Sequence, residues 1–393
     1  MGLGQALATL KNLSGFLDAT IGSLSAASAA AYASSTSVNN PAANQEATLS
    51  AILSDLHNLF ALISKETTNL SLAFAPPKEH WDAVDGTAKK LNDLSSKVVY
   101  GLRLLRGQTT SEDVLEHILA KQWRLASITT FECLMELSNS CITIYTALGH
   151  KPIQATQRKR ILTNTSLVWK AVERTEKLPN DERSAFVISW KETLETFEDA
   201  LEEVEELSQR EAKGKEKAEN QDEEAAEETG HGEEEDDFDF DDLDDDTPIS
   251  EEELRVVQSV YQYMKLVKAL SRKISTLQGE SLPFGRIAEF GNRIASCQDE
   301  LASAIQPPQD TASIRAETRN YSENINSLIK LVMESLSEHS LAKSLERASL
   351  TEQKHATPIA SPTHSEKWFT MCKQHLDKAS LAILALCEDG PER

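Results

Sequence analysis

Apolar residues recur at steps of three and four along most of this chain. One run is Phe186, Trp190, Leu194, Phe197, Leu201, Val204 and Leu207; another is Val257, Val260, Met264, Val267, Leu270, Ile274 and Leu277. A third passes through Leu49, Ile52, Leu53, Leu56, Leu59, Phe60 and Ile63. This spacing puts the side chains on one side of an α-helix, and stripes this wide are stable only against other helices. No long run alternates apolar and polar residues with β-branched side chains, so a sheet has no sequence to form from. The class is all-α, and the expected architecture is two up-and-down helical bundles.

The spacing predicts helices over about 4–32, 45–75, 79–106, 111–148, 154–177, 181–212, 250–278, 284–305, 309–350 and 365–387. Breaks between them follow backbone chemistry. Pro76-Pro77 and Pro307-Pro308 stop helices because proline lacks an N–H and restricts the residue before it. Thr110 to Asp113 reads as an N-terminal cap with acids in the first turn, and Gly149 to Pro152 as a helix end. Leu178-Pro179-Asn180-Asp181 is a tight link between two antiparallel helices. Asp85-Gly86 interrupts an otherwise helix-like run. Residues 34–46 and 352–364 read as loops. No fixed period with recurring signature residues points to a solenoid.

Charge supplies the division into domains. The net charge is -23, from 40 Lys plus Arg against 63 Asp plus Glu. Residues 219–253 hold 20 acids and no basic residue, so the remainder, with 40 basic and 43 acidic residues, is almost neutral. The expected layout is a bundle over 1–212, a disordered acidic linker over 213–249, and a second bundle over 250–393. Non-specific binding to nucleic acid is disfavoured, since phosphate contacts need clustered cations. Five Cys at irregular spacing do not make a disulfide framework and suit a reducing compartment. No stretch of ~18 strongly apolar residues would cross a bilayer. The start, MGLGQA, lacks the basic and apolar regions of a signal peptide, and Ala6 stands where a myristoylation motif wants Ser or Thr. The expectation is a soluble intracellular protein.

Catalytic patterns are missing: the nine His show no HExxH spacing, and there is no Gly-x-Ser-x-Gly or P-loop sequence. Cys372 and His375 lie one turn apart, but no second ligand pair follows at metal-site spacing, so they read as flanks of a helix seam. Cys133 and Cys141 read as small core residues. The acid pairs Glu202-Glu203 and Glu205-Glu206 read as a solvated face. No catalytic, cofactor or metal site is expected, and the chain reads as non-enzymatic.

Glu233 to Asp246, EEEDDFDFDDLDDD, sets apolar anchors in an anionic run. The candidate partner-binding residues are Asp236, Asp237, Phe238, Asp239, Phe240, Asp241, Asp242 and Leu243, which would dock on a basic, apolar-pitted partner. The alternatives are a solubilising spacer, or a strip lying on the protein's own basic cluster Arg158-Lys159-Arg160. That cluster also fits a nuclear-import signal. Thr247, Thr357 and Ser361 each precede proline and are candidate phosphorylation sites. Ser250 precedes three Glu and reads as a helix cap.

Several segments, taken in order, resemble a known family. ISKETTNLSLAFAPP (Ile63 to Pro77) is similar to the "SREAT-L-hydrophobic-F" stretch of the cyclin-D-binding proteins, the GCIP family. SLVWKAVERTEKLPNDERSAFVISWKETLETFEDALEEVEEL (Ser166 to Leu207) resembles that family's Val-Trp pair, its Pro-x-(Asp/Asn) break and its acid-rich helix. ELASAIQPPQD (Glu300 to Asp310) resembles its Pro-Pro helix end, and WFTMCKQHLDKASLAIL (Trp368 to Leu384) its Trp-initiated last helix.

The resemblance implies two helical domains of the vinculin and α-catenin type of bundle. It also implies a role in cell-cycle control through association with D-type cyclins and restraint of cyclin-dependent kinase signalling, in cytoplasm and nucleus. Protein partners are expected, with no direct DNA binding and no membrane insertion. Departures are a longer Ala/Ser-rich N-terminus and a denser acidic tract. Arg160-Ile161-Leu162 and Arg103-Leu104-Leu105 fit an Arg-x-Leu cyclin-docking pattern. Two other classes stay open: a cytoskeletal or junctional scaffold, and an acidic histone-type chaperone.

Overall fold

A computed structural model describes residues 2–26, 48–74, 80–107, 118–148, 153–221, 249–277, 282–350 and 364–388, with residues 210–221 and 339–350 as backbone only. Among the described residues there are ten helices and no strand. They are α1 (Leu3–Ser25), α2 (Leu49–Ala73), α3 (Trp81–Gly107), α4 (Ile118–Leu148), α5 (Ala155–Glu176), α6 (Glu182–Gln221), α7 (Glu251–Ser275), α8 (Phe284–Ala304), α9 (Thr311–Leu350) and α10 (His364–Glu388). The all-α expectation holds, and each predicted helix is found. Asp85-Gly86 does not break α3: the Asp85 carboxylate accepts from Lys89 one turn on and from Thr9 of α1, so it does not compete for the backbone.

One helix start fixed by local side chains was legible in the sequence. Ser250 and Glu253 form the expected reciprocal cap: Glu253 N–H donates to Ser250 Oγ at 3.2 Å, and Ser250 N–H to Glu253 Oε2 at 2.9 Å. Thr48 Oγ1 caps α2 and the Asp181 carboxylate caps α6. The expected caps and breaks at Thr110 to Asp113, at Pro76-Pro77 and at Gly149 to Pro152 lie outside the described residues. The described start of α4 is instead satisfied from far along the chain. Glu182 accepts the N–H groups of Ile118 and Leu119 at 2.9 and 3.2 Å.

The chain forms two compact units, residues 1–186 and 187–393. In the first, α2, α3, α4 and α5 make an up-and-down ring, and α1 is wedged between α3 and α4. Thr9 meets Asp85, so α1 runs parallel to α3; Arg124 reaches the Leu24 carbonyl, so α1 runs antiparallel to α4. Leu10, Leu13 and Leu17 of α1 enter the core with Phe60, Phe131 and Trp123. Trp123 lies edge-on to His57, and its indole N–H donates to the Pro179 carbonyl at 3.4 Å.

In the second unit, α7 pairs with α10, α10 with α9 and α9 with α8, and α6 is inserted between α7 and α8. Its stripe, Trp190, Phe197, Leu201, Val204 and Leu207, is buried there. Trp190 donates to the Ser271 carbonyl at 2.9 Å, and Gln298 of α8 donates to the Phe197 carbonyl at 3.0 Å. The boundary between these compact units falls just after Phe186, inside α6. The short link at 178–181 made α5 and α6 read as one hairpin. What decides membership is where the stripe is buried, and from Val187 onward that is against α7 and α8.

Gly291 makes that insertion possible. A Cβ there would stand 2.5 Å from Trp190 Cζ3, whereas one at Gly86 of α3 would meet nothing within 4 Å. Gly291→Ala is predicted to destabilise the second unit by about 1–3 kcal/mol through overpacking against a rigid ring. Gly86→Ala is predicted to stabilise the first by about 0.5–1 kcal/mol through helix propensity. Denaturant titrations followed by circular dichroism check both; equal shifts in the same direction would contradict the packing around Trp190.

Candidate functional site

All the residues singled out in the acidic segment, Asp236 to Leu243, and the acceptors Thr247, Thr357 and Ser361 lie outside the described residues. The other candidates can be placed. Cys372 is buried and burial pushes its thiol up to about 11, while His375 one turn on faces solvent, so the two do not share a ligand face. No group of three His, Cys, Asp or Glu among the described residues could hold a metal ion. Cys141 is a core residue whose thiol is pushed up to about 12 by burial; Cys133 is half-buried. Glu202, Glu203 and Glu206 line the solvated side of α6.

Helix faces are what remains for binding. On the first unit, α2 and α3 approach closely because Gly101 has no side chain: a Cβ there would lie 2.7 Å from Leu56 Cδ2. Above this contact is a groove of about 330 Å³ edged by Leu59, Leu62, Lys97, Tyr100 and Leu104. Tyr100 is 60% and Leu62 44% exposed. A second hollow of about 450 Å³ lies further along the same seam, lined by Glu66, Leu72, His80 and Lys90. Lys90 pairs across it with the buried Glu66 at 3.5 Å.

A different surface is carried by α5. Arg158, Lys159 and Arg160 occupy its first turns, with Lys159 and Arg160 exposed. Leu162, Leu167 and Trp169 are also exposed, at 47%, 42% and 42%. The indole N–H of Trp169 donates to Thr68 Oγ1 of α2 at 3.1 Å, and Arg160 pairs with Glu136 of α4 at 3.4 Å. The two Arg-x-Leu triplets are both helical. Leu105 is buried, which removes Arg103-Leu104-Leu105; in Arg160-Ile161-Leu162, Arg160 and Leu162 are exposed but point ~160° apart at 3.6 residues per turn. One partner surface cannot read both from the same side.

Residues 55–210 match the family model described as Grap2 and cyclin-D-interacting, N-terminal. This segment is GCIP-like. The match takes in most of α2, all of α3, α4 and α5, and α6 as far as residue 210, so it carries the α2–α3 groove and the α5 surface. No curated protein matches the chain closely enough to add a relative. The family description names an interaction, which agrees with the non-catalytic reading of the residues. Among the described residues no helix is long and apolar enough to cross a membrane.

Sequence reasoning missed the α2–α3 groove. Its only trace was Gly101 inside a helical run, where glycine costs stability unless another backbone or side chain must come close. It also missed the tie between α1 and the GCIP-like segment through Asp85. The hydrogen bonds from Lys89 and Thr9 hold this carboxyl below its ordinary range. A depressed folded value contributes stability above the unfolded value, near 3.9, which is lost as pH falls through the folded one. Asp85→Asn is therefore predicted to lower the melting temperature of the first unit at pH 7, with the gap from the parent protein closing below about pH 4. Melting curves across pH check this; a gap that persists in acid would mean that the carboxylate charge contributes nothing.

Proposed function

We propose that this protein is a non-enzymatic regulator of cell-cycle progression that works by binding other proteins. The observation that carries this is the match of residues 55–210 to a family described by its interaction with D-type cyclins and Grap2. On this reading a D-type cyclin, or a regulator of cyclin-dependent kinases, is the ligand. The helix faces of the GCIP-like segment supply the contact surface, in the manner of a groove receiving a partner's side chains. The acidic run from Glu233 to Asp246 adds long-range attraction, with Phe238, Phe240 and Leu243 as anchors. The reading places the protein in both cytoplasm and nucleus and gives it no direct contact with DNA.

Affinity purification from synchronised cells, followed by mass spectrometry, tests the partner class. Recovery of cyclins or their kinases is the expected result; recovery of actin-linked proteins or of histones in their place would move the protein to a different class. Fluorescence microscopy of the tagged chain tests the two compartments. The contribution of the acidic run is tested by deleting residues 219–246. Both units are expected to keep their melting transitions, while partner binding weakens and loses most of its salt dependence between low and moderate ionic strength. An affinity that is already salt-independent in the intact chain would place binding on the apolar helix faces alone.

A further inference from the structure

The outward side of α5 combines a basic excess with several exposed large apolar side chains. In a chain of net charge -23, α5 carries five basic residues, Arg158, Lys159, Arg160, Lys170 and Arg174, against the two acids Glu173 and Glu176. It also exposes three large apolar side chains. At about 100° per residue these fall into an ordered pattern. Lys159 and Lys170 run along the middle of the exposed arc. Leu162 and Trp169, seven residues apart, form one edge; Leu167 lies on the other beside Arg174. The indole is held at its N–H by Thr68, so the ring is a fixed platform, costing little ordering on binding. From Lys159 to Arg174 the strip is ~20 Å long at 1.5 Å per residue.

We propose that this face is a docking site for an acidic segment of a partner protein that bears apolar or aromatic anchors. The carboxylates would lie over the Lys159–Lys170 ridge and the anchors against Leu162 and Trp169 on one edge and Leu167 on the other. Charge chooses the occupant: an exposed ridge of Lys and Arg with few acids beside it attracts a dense anionic strand. The exposed leucines and tryptophan choose between anionic partners, since a phosphate backbone offers them nothing to cover. A chain extended at ~3.3 Å per residue crosses the strip in six or seven residues, alternating sides, which suits acids and anchors in alternation. The proposal rests on the interaction reading above and gives it a surface and a partner chemistry.

The test uses the full chain and a fluorescein-labelled acidic peptide of about a dozen residues carrying Phe and Leu, read by polarisation. Binding is expected to weaken about tenfold or more with Lys159→Glu plus Lys170→Glu, and similarly with Trp169→Ala. It should fall steeply with salt, and a peptide with Ser in place of Phe and Leu should bind more weakly. Leu167→Ser, an exposed change away from the Thr68 contact, repeats the anchor test, and circular dichroism confirms that each variant is folded. Binding unchanged by the charge reversals overturns the proposal. So does tighter binding to a DNA duplex or to phosphatidylserine vesicles than to the peptide. Peptide binding seen only after residues 222–248 are deleted would also overturn it, because the occupant would then be the chain's own acidic run. If these variants still recover cyclins while losing the peptide, the cell-cycle reading stands and α5 is not its cyclin surface; the converse result removes that reading and leaves the docking site.

Discussion

A helix of twenty or more residues with a wide apolar stripe has nowhere to put that stripe except against other helices. Every feature of this protein follows from how that requirement is met. Four helices in an up-and-down ring bury most of it. In each unit a fifth helix, the first in chain order, is wedged between two members of the ring: α1 between α3 and α4, α6 between α7 and α8. The wedges need room. In the second unit it comes from Gly291 beneath Trp190, and the indole's remaining polar group is met by the Ser271 carbonyl. One buried pair nearby is met in the same economical way: Tyr321 donates to Gln298 at 2.7 Å while Gln298 donates to the Phe197 carbonyl.

Much of this was legible before any coordinates. The three runs through Leu49, Phe186 and Val257 named the helices and their inner faces, and Trp190, Phe197 and Val204 are buried as that spacing requires. Ser250 was recognisable as a cap because both partners of its reciprocal bond lie within one turn. What stayed hidden depends on distant residues. Nothing near Ile118 announces that its N–H will be met by Glu182, sixty-four residues on. Nor does a four-residue link at 178–181 say whether the next stripe turns back or is buried with helices not yet begun. Helical periodicity fixes which side of a helix is apolar and leaves open which helix will cover it.

The surface follows the opposite logic, because binding sites are where the burial rule is broken. Among the described residues it is broken at the α2–α3 groove with Tyr100 and Leu62, at the end of α10 with Leu381 and Leu386, on the outer face of α5, and singly or in pairs at Leu72, Leu125, Val187, Ile188 and Met371. Apolar exposure by itself states only that something could cover a surface. Around the groove Lys97 pairs with Asp93 at 2.7 Å and Lys90 with Glu66, so the charges there are largely matched and name no partner. The end of α10 carries exposed leucines and alanines with little charge at all.

On α5, five basic residues against two acids accompany three exposed apolar side chains, and that combination names a partner chemistry. A cationic ridge costs stability through self-repulsion among Arg158, Lys159 and Arg160, and one of these is relieved by Glu136. Leu162 and Trp169 beside it, 47% and 42% exposed, forgo part of the hydrophobic contribution of a buried position, which is about 1.5–3 kcal/mol for full burial of a leucine-sized side chain. Both costs are borne by the same six turns of helix, within the GCIP-like segment, and both are removed together by an anionic chain with apolar anchors. A surface that is unfavourable in two independent ways, each cancelled by the same ligand chemistry, is a more specific signal than either property alone.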